Sequence, residues 1–439
     1  MRGVDAALRL VEAGERGEFL SEALRRLASE KIGTPEDLSL AATLAYAVFR
    51  RKAMWERLVR DALRPPGREV APETLRALVV GTAGICTLRT FAPAALGNAL
   101  VGEIRRRAPR DAALVNAVLR RVEERIIPQL ARLEQSSLFQ EQALVRGVPE
   151  WVALRFEEDF GPSVARQLVR MAKIRPYTSF CLAPGENPQE WCAQLREAGF
   201  RAWPSPVLPE VLRTAGTPHI PLVPGFRQGA LSPQTESSVR VANLALSLVG
   251  KGPVLDMCAG RGGKTAFLIS RLPPGTVEGW EKSPGRCRAF RGEMLRRHLS
   301  GGVIEGDALV LETPTRYGLV MVDAPCSGSG TWGRHPEAKW RVTPSEVSAL
   351  ANLQRQLLSR AASLVLPGGS LLYVTCSLFR EENEAVVADV LARNPSLVEV
   401  PALAGHHPWR RGRPWGFSLF PTLPWVDGFY AAVLMKRPT

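Results

Sequence analysis

Two short segments place a cysteine where chemistry can be done. They are Asp323-Ala324-Pro325-Cys326-Ser327-Gly328-Ser329-Gly330 and Tyr373-Val374-Thr375-Cys376-Ser377. Each ends an apolar, strand-forming run, at 319–323 and 370–376. Each thiol therefore falls at or just past the carboxyl end of a predicted strand. In open α/β sheets that edge lines the ligand crevice. If the strands are neighbours, both thiols face one cleft. A lone cysteine is most often a small buried hydrophobe. Two cysteines at strand ends, beside a glycine-rich loop, point instead to thiolate chemistry. The other five cysteines are Cys86, Cys181, Cys192, Cys258 and Cys287. Seven widely spaced cysteines do not form a disulfide framework. There is no C-x-x-C pair and no ligand-spaced histidine cluster, so no metal site is expected.

The glycine-rich loop is Val254-Leu255-Asp256-Met257-Cys258-Ala259-Gly260-Arg261-Gly262-Gly263-Lys264-Thr265. An apolar strand runs into a turn where glycines let backbone approach a ligand, and a helix follows. Three readings compete. A P-loop ends in Gly-Lys-Thr, as here, but its first glycine would fall at Cys258. A dinucleotide fingerprint is satisfied by Gly260 and Gly262 but not at Thr265. The adenosyl cofactor of a methyltransferase suits the whole pattern. Glu281, at the end of the next predicted strand, can accept from ribose hydroxyls. Asp307, after the third strand, can contact an adenine amine or cap a helix.

These residues need a frame. From Gln234 onward, strand-like runs at 254–258, 276–281, 302–306, 319–323, 370–376 and 429–435 alternate with helical ones. That is the pattern of a parallel sheet covered by helices. Residues 1 to about 125 read as all helix, with apolar residues such as Leu40, Leu44 and Val48 at helical spacing. Thr34-Pro35-Glu36-Asp37 reads as a helix start. Pro65-Pro66-Gly67 and Phe91-Ala92-Pro93 separate helices. Between them and the sheet lies a mixed region: helix at 151–171, a β-prone run at 177–182 and a helix from Pro188. Proline-rich 207–224 has room for short strands. The expected domains are 1–128, helical; 129–228, linker helices and a small α/β module; and 229–439, the α/β domain.

The formal net charge is +14, from 57 Lys and Arg against 43 Asp and Glu. Basicity of this size favours a polyanionic partner, nucleic acid first. It is tempered by the imbalance of 49 Arg over 8 Lys, which GC-rich coding produces alone. Arg105-Arg106-Arg107 and Arg410-Arg411-Gly412-Arg413 are the tightest clusters. No long uninterrupted apolar stretch indicates a membrane span, and the first residues lack the apolar run of a signal peptide. A cytoplasmic protein, monomeric by default and with no membrane partner, is expected.

Taken together, the two cysteine motifs and the loop before them resemble the Sun-type RNA cytosine-5 methyltransferases, specifically over about 230–439. Arg334-His335-Pro336-Glu337-Ala338-Lys339-Trp340, Leu353-Gln354-Arg355, Leu366-Pro367-Gly368-Gly369 and Glu381-Glu382-Asn383-Glu384 fit the branch acting on small-subunit ribosomal RNA. The N-terminal helices resemble NusB-type RNA-binding domains, and the middle module resembles, loosely, an RNA-recognition-like insertion. The resemblance implies a Rossmann-like class I methyltransferase domain, S-adenosyl-L-methionine as cofactor, and 16S rRNA or an assembling small subunit as partner. It implies Cys376 as nucleophile, Cys326 as the residue that releases product, Asp323 on the base edge, and Lys264 near the reacting base. Cofactor contacts are implied for Cys258, Ala259, Gly260, Arg261, Gly262, Gly263, Lys264, Glu281, Asp307 and Asp323. Arg261 stands where the family loop carries proline. Two rival functions remain, a non-catalytic RNA-binding assembly factor and a P-loop ATPase.

Overall fold

The structure is a computed structural model that describes residues 2–438 apart from 64, 66, 67, 89–91, 173, 217 and 407. The helix breaks expected at Pro66, Gly67 and Phe91 lie outside the described residues. Two compact units are present: Met1–Ile174 with Trp332–Val342, and Arg175–Thr331 with Thr343–Thr439.

The first unit is helical, as the apolar spacing requires. Pro35–Arg50 opens with the expected cap: the Thr34 hydroxyl accepts the Asp37 N–H, and the Asp37 carboxylate accepts the Thr34 N–H. Leu8, Leu44, Val48, Trp55 and Leu58 are buried in its core. Helix Glu150–Met171 kinks at Gly161, where φ is 79° and Pro162 follows. A proline removes the N–H of a helical hydrogen bond and crowds the preceding turn. The helices Ile127–Glu134, Phe139–Arg146 and Glu150–Met171, grouped from the sequence with the middle module, pack in this unit. So does Trp332–Val342, which the sequence placed within the α/β domain. There the Trp340 Nε1–H donates to the Phe49 carbonyl at 2.6 Å, and the Lys339 ammonium donates to the Arg50 carbonyl at 3.0 Å. Glu337 accepts the Leu20 N–H. The basic cluster at the end of Pro93–Arg107 is partly neutralised, since Arg106 pairs with Glu103 and Arg107 with Asp5.

The second unit opens with a four-stranded antiparallel sheet. Its strands are β1 (Thr178–Leu182), β2 (Ala202–Pro204), β3 (Val211–Thr214) and β4 (Leu231–Pro233), in the order β2-β3-β1-β4. Helix Pro188–Glu197 packs on it, capped by Asn187.

The large sheet contains β5 (Val254–Asp256), β6 (Val277–Glu281), β7 (Val303–Glu305), β8 (Tyr317–Asp323) and β9 (Val365–Thr375). It continues with β10 (Leu397–Val400), β11 (Arg410–Arg411), β12 (Phe417–Leu419) and β13 (Phe429–Lys436). The order is β11-β12-β13-β9-β8-β5-β6-β7, with β10 on β13. Strands β5 to β9 pair in parallel and β13 enters antiparallel to β9. This is the Rossmann-like class I arrangement that the sequence implied. The chain goes from β5 outward to β6 and β7, then returns to β8 on the other side of β5. That reversal makes a switch point, and the crevice outside the carboxyl strand ends there is the ligand site of such sheets. All six expected strands of this sheet are present. The sequence reading did not include β10, β11 or β12.

Candidate active site

Cys326 and Cys376 follow the parallel neighbours β8 and β9, where Asp323 is in register with Val374. Their sulfurs are 3.3 Å apart. Backbone bonds stitch the two turns together: Ala324 N–H donates to Val374 at 2.9 Å, and Gly330 N–H donates to the Cys376 carbonyl at 2.8 Å. A side chain at Gly330 has no room, because its Cβ would lie 2.2 Å from the Gly428 carbonyl. The hydrogen bond to Cys376, burial, the Cys376 charge and the Glu382 charge all push the Cys326 thiol well above its usual range. The Cys326 thiol therefore keeps its proton.

Lys264 begins the helix after the loop and reaches across to Asp323, with Nζ 2.6 Å from Oδ2. Its ammonium also lies 5.5 Å from the Phe429 ring centroid, at the start of β13. Burial works against this charge, but the carboxylates of Asp323 and Asp256 and the Cys376 sulfur outweigh it, so the Lys264 pKa is raised. The Gly-rich loop thus meets the two cysteine motifs through one ion pair.

The loop itself is shaped by Asp256, which is 1% exposed. Its carboxylate accepts the Thr265 hydroxyl at 2.6 Å. Burial pushes Asp256 up to about 7. Thr265 is fully buried in that bond, so it offers nothing to a phosphate-bound cation and the P-loop reading loses its last element. Gly260 and Gly262 have φ of 59° and 86°. The Glu281 carboxylate accepts the Gly260 N–H at 3.0 Å and the Ser283 N–H at 2.8 Å. A Cβ on Gly263 would meet nothing within 4 Å, so the loop backbone borders open space. Asp307 follows β7 and sits below the usual carboxylate range, held by Lys282 and the Leu309 N–H. Cys258 is the opposite case: burial and the charges of Asp256, Asp323 and Glu281 keep its thiol protonated.

These features fit an adenosyl cofactor. Acidic acceptors stand at or just past the ends of β6, β7 and β8, and an open glycine loop follows β5. Ala259, Gly260, Gly262, Gly263, Lys264, Glu281, Asp307 and Asp323 can hold it, with Arg261 exposed at the loop tip. Among the described residues, no group of acidic, His or Cys side chains is arranged to hold a metal.

One buried set was not singled out as functional from sequence. Ser327 and Ser377, each next to a cysteine, both bond to Glu382. Gln354, from helix Pro344–Leu364, donates to the same carboxylate at 3.0 Å. The sequence signals were the family-like Glu381-Glu382-Asn383-Glu384 and Leu353-Gln354-Arg355 and the serines of the two cysteine motifs, none of which says that they meet.

Fold and site together define a class I methyltransferase domain, preceded in the chain by a helical domain. Residues 243–435 match the family described as 16S rRNA methyltransferase RsmB/F, and residues 5–124 match the NusB family. A ribosomal RNA small subunit methyltransferase B of Xanthomonas campestris is 30% identical over 92% of this chain and 90% of its own. The crystal structure of PH0851 superposes with a TM-score of 0.82 at 23% identity, covering 99% of this chain and 98% of the other. That of NSun6 from Pyrococcus horikoshii with SFG gives 0.58 at 17% identity, over 66% and 99%. The chain belongs to the RsmB/F family of 16S rRNA methyltransferases and is an S-adenosylmethionine-dependent RNA methyltransferase.

Proposed function

We propose that the chain methylates C5 of a cytosine in 16S rRNA through a covalent adduct between Cys376 and C6 of the base. The observation that carries this reading is the pair of sulfurs 3.3 Å apart at adjacent strand ends. Cytosine C5 is a poor nucleophile. A thiolate added to C6 pushes its electron pair toward C5, which splits one hard step into easier ones. S-adenosylmethionine supplies an electrophilic methyl group on a sulfonium. The target base must leave its stack to reach this crevice. Its N3/N4 edge is held by Asp323, which Lys264 orients from 2.6 Å.

The order of the two thiols follows from their electrostatics. The raised pKa keeps the proton on Cys326, which leaves Cys376 as the thiol that attacks in this reading. Once its sulfur is bonded to carbon, its charge is gone, and with it two causes that held up the Cys326 pKa. With C5 methylated, Cys326 can give its own proton to solvent and, as a thiolate, take the C5 proton. The electron pair released at C5 restores the double bond as the Cys376–C6 bond breaks. The helical domain, with its Arg-rich helices, holds RNA phosphates in this reading, and binding should weaken steeply with salt.

The test is a trap. Cys326→Ala expressed in cells should accumulate a denaturant-stable protein–RNA adduct whose attached RNA maps the target. The adduct should vanish in Cys326→Ala/Cys376→Ala. Absence of adduct together with absence of S-adenosylmethionine binding by isothermal titration would favour a non-catalytic assembly factor.

A further inference from the structure

We propose that Glu382 is a positioning residue for both cysteines, one buried carboxylate that sets the separation of the two sulfurs. The inference rests on the two-cysteine reading above. Glu382 is fully buried. Its Oε1 accepts the Ser327 N–H at 2.8 Å and the Gln354 amide at 3.0 Å. Its Oε2 accepts the hydroxyls of Ser327, at 2.5 Å, and of Ser377. Ser327 directly follows Cys326 and Ser377 directly follows Cys376. Each sulfur-bearing turn is thus fastened, through its next residue, to the same carboxylate. Gln354 closes the arrangement from outside, donating also to the Pro325 carbonyl at 2.9 Å, on the other side of Cys326.

A carboxylate is suited to this task. It is acceptor-only, has about four lone-pair directions, and here meets four donors from three elements. Charge-assisted bonds are shorter and stronger than neutral ones. Gln at this position would turn one acceptor into a donor facing hydroxyl groups. Ala would remove all four bonds. Reactive groups misplaced by about 1 Å lose on the order of a hundredfold in rate. The side chain is sealed from the crevice, so it acts through the serines. Its charge also helps to keep Cys326 protonated, consistent with that role.

The test compares full-length Glu382→Gln and Glu382→Ala with wild type in three readouts. These are kcat and KM for RNA methylation, S-adenosylmethionine affinity, and capture of the thiol pair by phenylarsine oxide, which bridges two close thiols. Capture is read by mass spectrometry on the peptides bearing Cys326 and Cys376, with Cys376→Ala as blank. We expect kcat to fall about tenfold in Gln and about a hundredfold in Ala. KM and cofactor affinity should stay within about threefold, and capture should slow in the same order. Wild-type kcat and capture in Glu382→Gln would overturn the proposal. So would loss of cofactor binding and melting temperature in both variants with capture unchanged, which marks a core residue only. If Cys326→Ala yields no adduct but capture still depends on Glu382, the clamp stands and the covalent reading falls. If the adduct forms and the Glu382 variants behave as wild type, only the clamp falls.

Discussion

Lys264 Nζ lies 2.6 Å from Asp323 Oδ2, so the cofactor loop after β5 and the cysteine motif after β8 share one ion pair. The pair is shielded, with side chains 12% and 29% exposed. A charge whose partner is removed in such a place is costly, by about 3–5 kcal/mol for a fully buried pair and less here. Lys264→Met should leave Asp323 without its cation and free to turn away. Single-turnover methylation should slow by about a hundredfold, the size seen when one electrostatic contact at a reacting centre is lost. Cofactor affinity should fall far less. Equal losses in both measurements would show that Lys264 serves the cofactor and not the base.

Glu281 accepts two backbone N–H groups, one from the loop and one from the turn after β6. Glu281→Gln keeps the shape but turns one acceptor into a donor opposite an N–H. A hydrogen bond to a charged group contributes about 1.5–3 kcal/mol, and tenfold in affinity is about 1.4 kcal/mol. Isothermal titration with S-adenosylmethionine should therefore show roughly tenfold or greater weakening. A wild-type dissociation constant would remove Glu281 from the cofactor site.

Asp256 predicts a pH effect on stability. Burial pushes it up to about 7, above the ordinary carboxylate value near 4. A carboxyl group with a raised folded-state pKa binds more protons folded than unfolded between those values. Its contribution is full below about pH 4 and is lost as pH rises through 7. The difference is on the order of a few kcal/mol. Asp256→Asn cannot ionise. Denaturant melts at pH 5 and pH 8 should show a smaller stability loss in the variant than in wild type. The same loss in both would mean that Asp256 is ionised in the folded protein at pH 5.

The central parallel strands were legible because they are buried apolar runs, β5, β6 and β8 each closed by an acidic residue; β7, at the edge, is mostly exposed. Strands β10, β11 and β12 were not legible. Arg410-Arg411 reads as a solvated basic cluster, and only pairing with β12 and an ion pair from Arg411 to Glu399 make it an edge strand. In the site, Cys326, Cys376, Asp323 and Lys264 declared themselves through residue type at strand ends and through the family motifs. Glu382 did not, since acidic residues in a short polar run are solvated by default, and tertiary packing alone buries this one. Trp332–Val342 hid for the same reason. Nothing local in Glu337, Lys339 or Trp340 says that an excursion from the α/β chain packs among helices.

That excursion yields the last prediction. Lys339 is fully buried, and its ammonium donates to the Arg50 carbonyl. Burial, then the Arg50 cation, push its pKa down to about 7. A lysine so depressed binds fewer protons folded than unfolded between about pH 7 and the ordinary value near 10. Its contribution to stability is full above that range and is lost as pH falls through 7. Lys339→Met replaces the stem and removes the titration, at the cost of one hydrogen bond of about 1 kcal/mol. Relative to wild type, the variant should be least stable near pH 9.5 and should gain steadily toward pH 6. Paired calorimetric melts of the two full-length proteins across that range check this, because groups common to both cancel in the difference. A constant difference in melting temperature would mean that Lys339 titrates alike in the folded and unfolded chains, and that water or a carboxylate reaches it in the folded one.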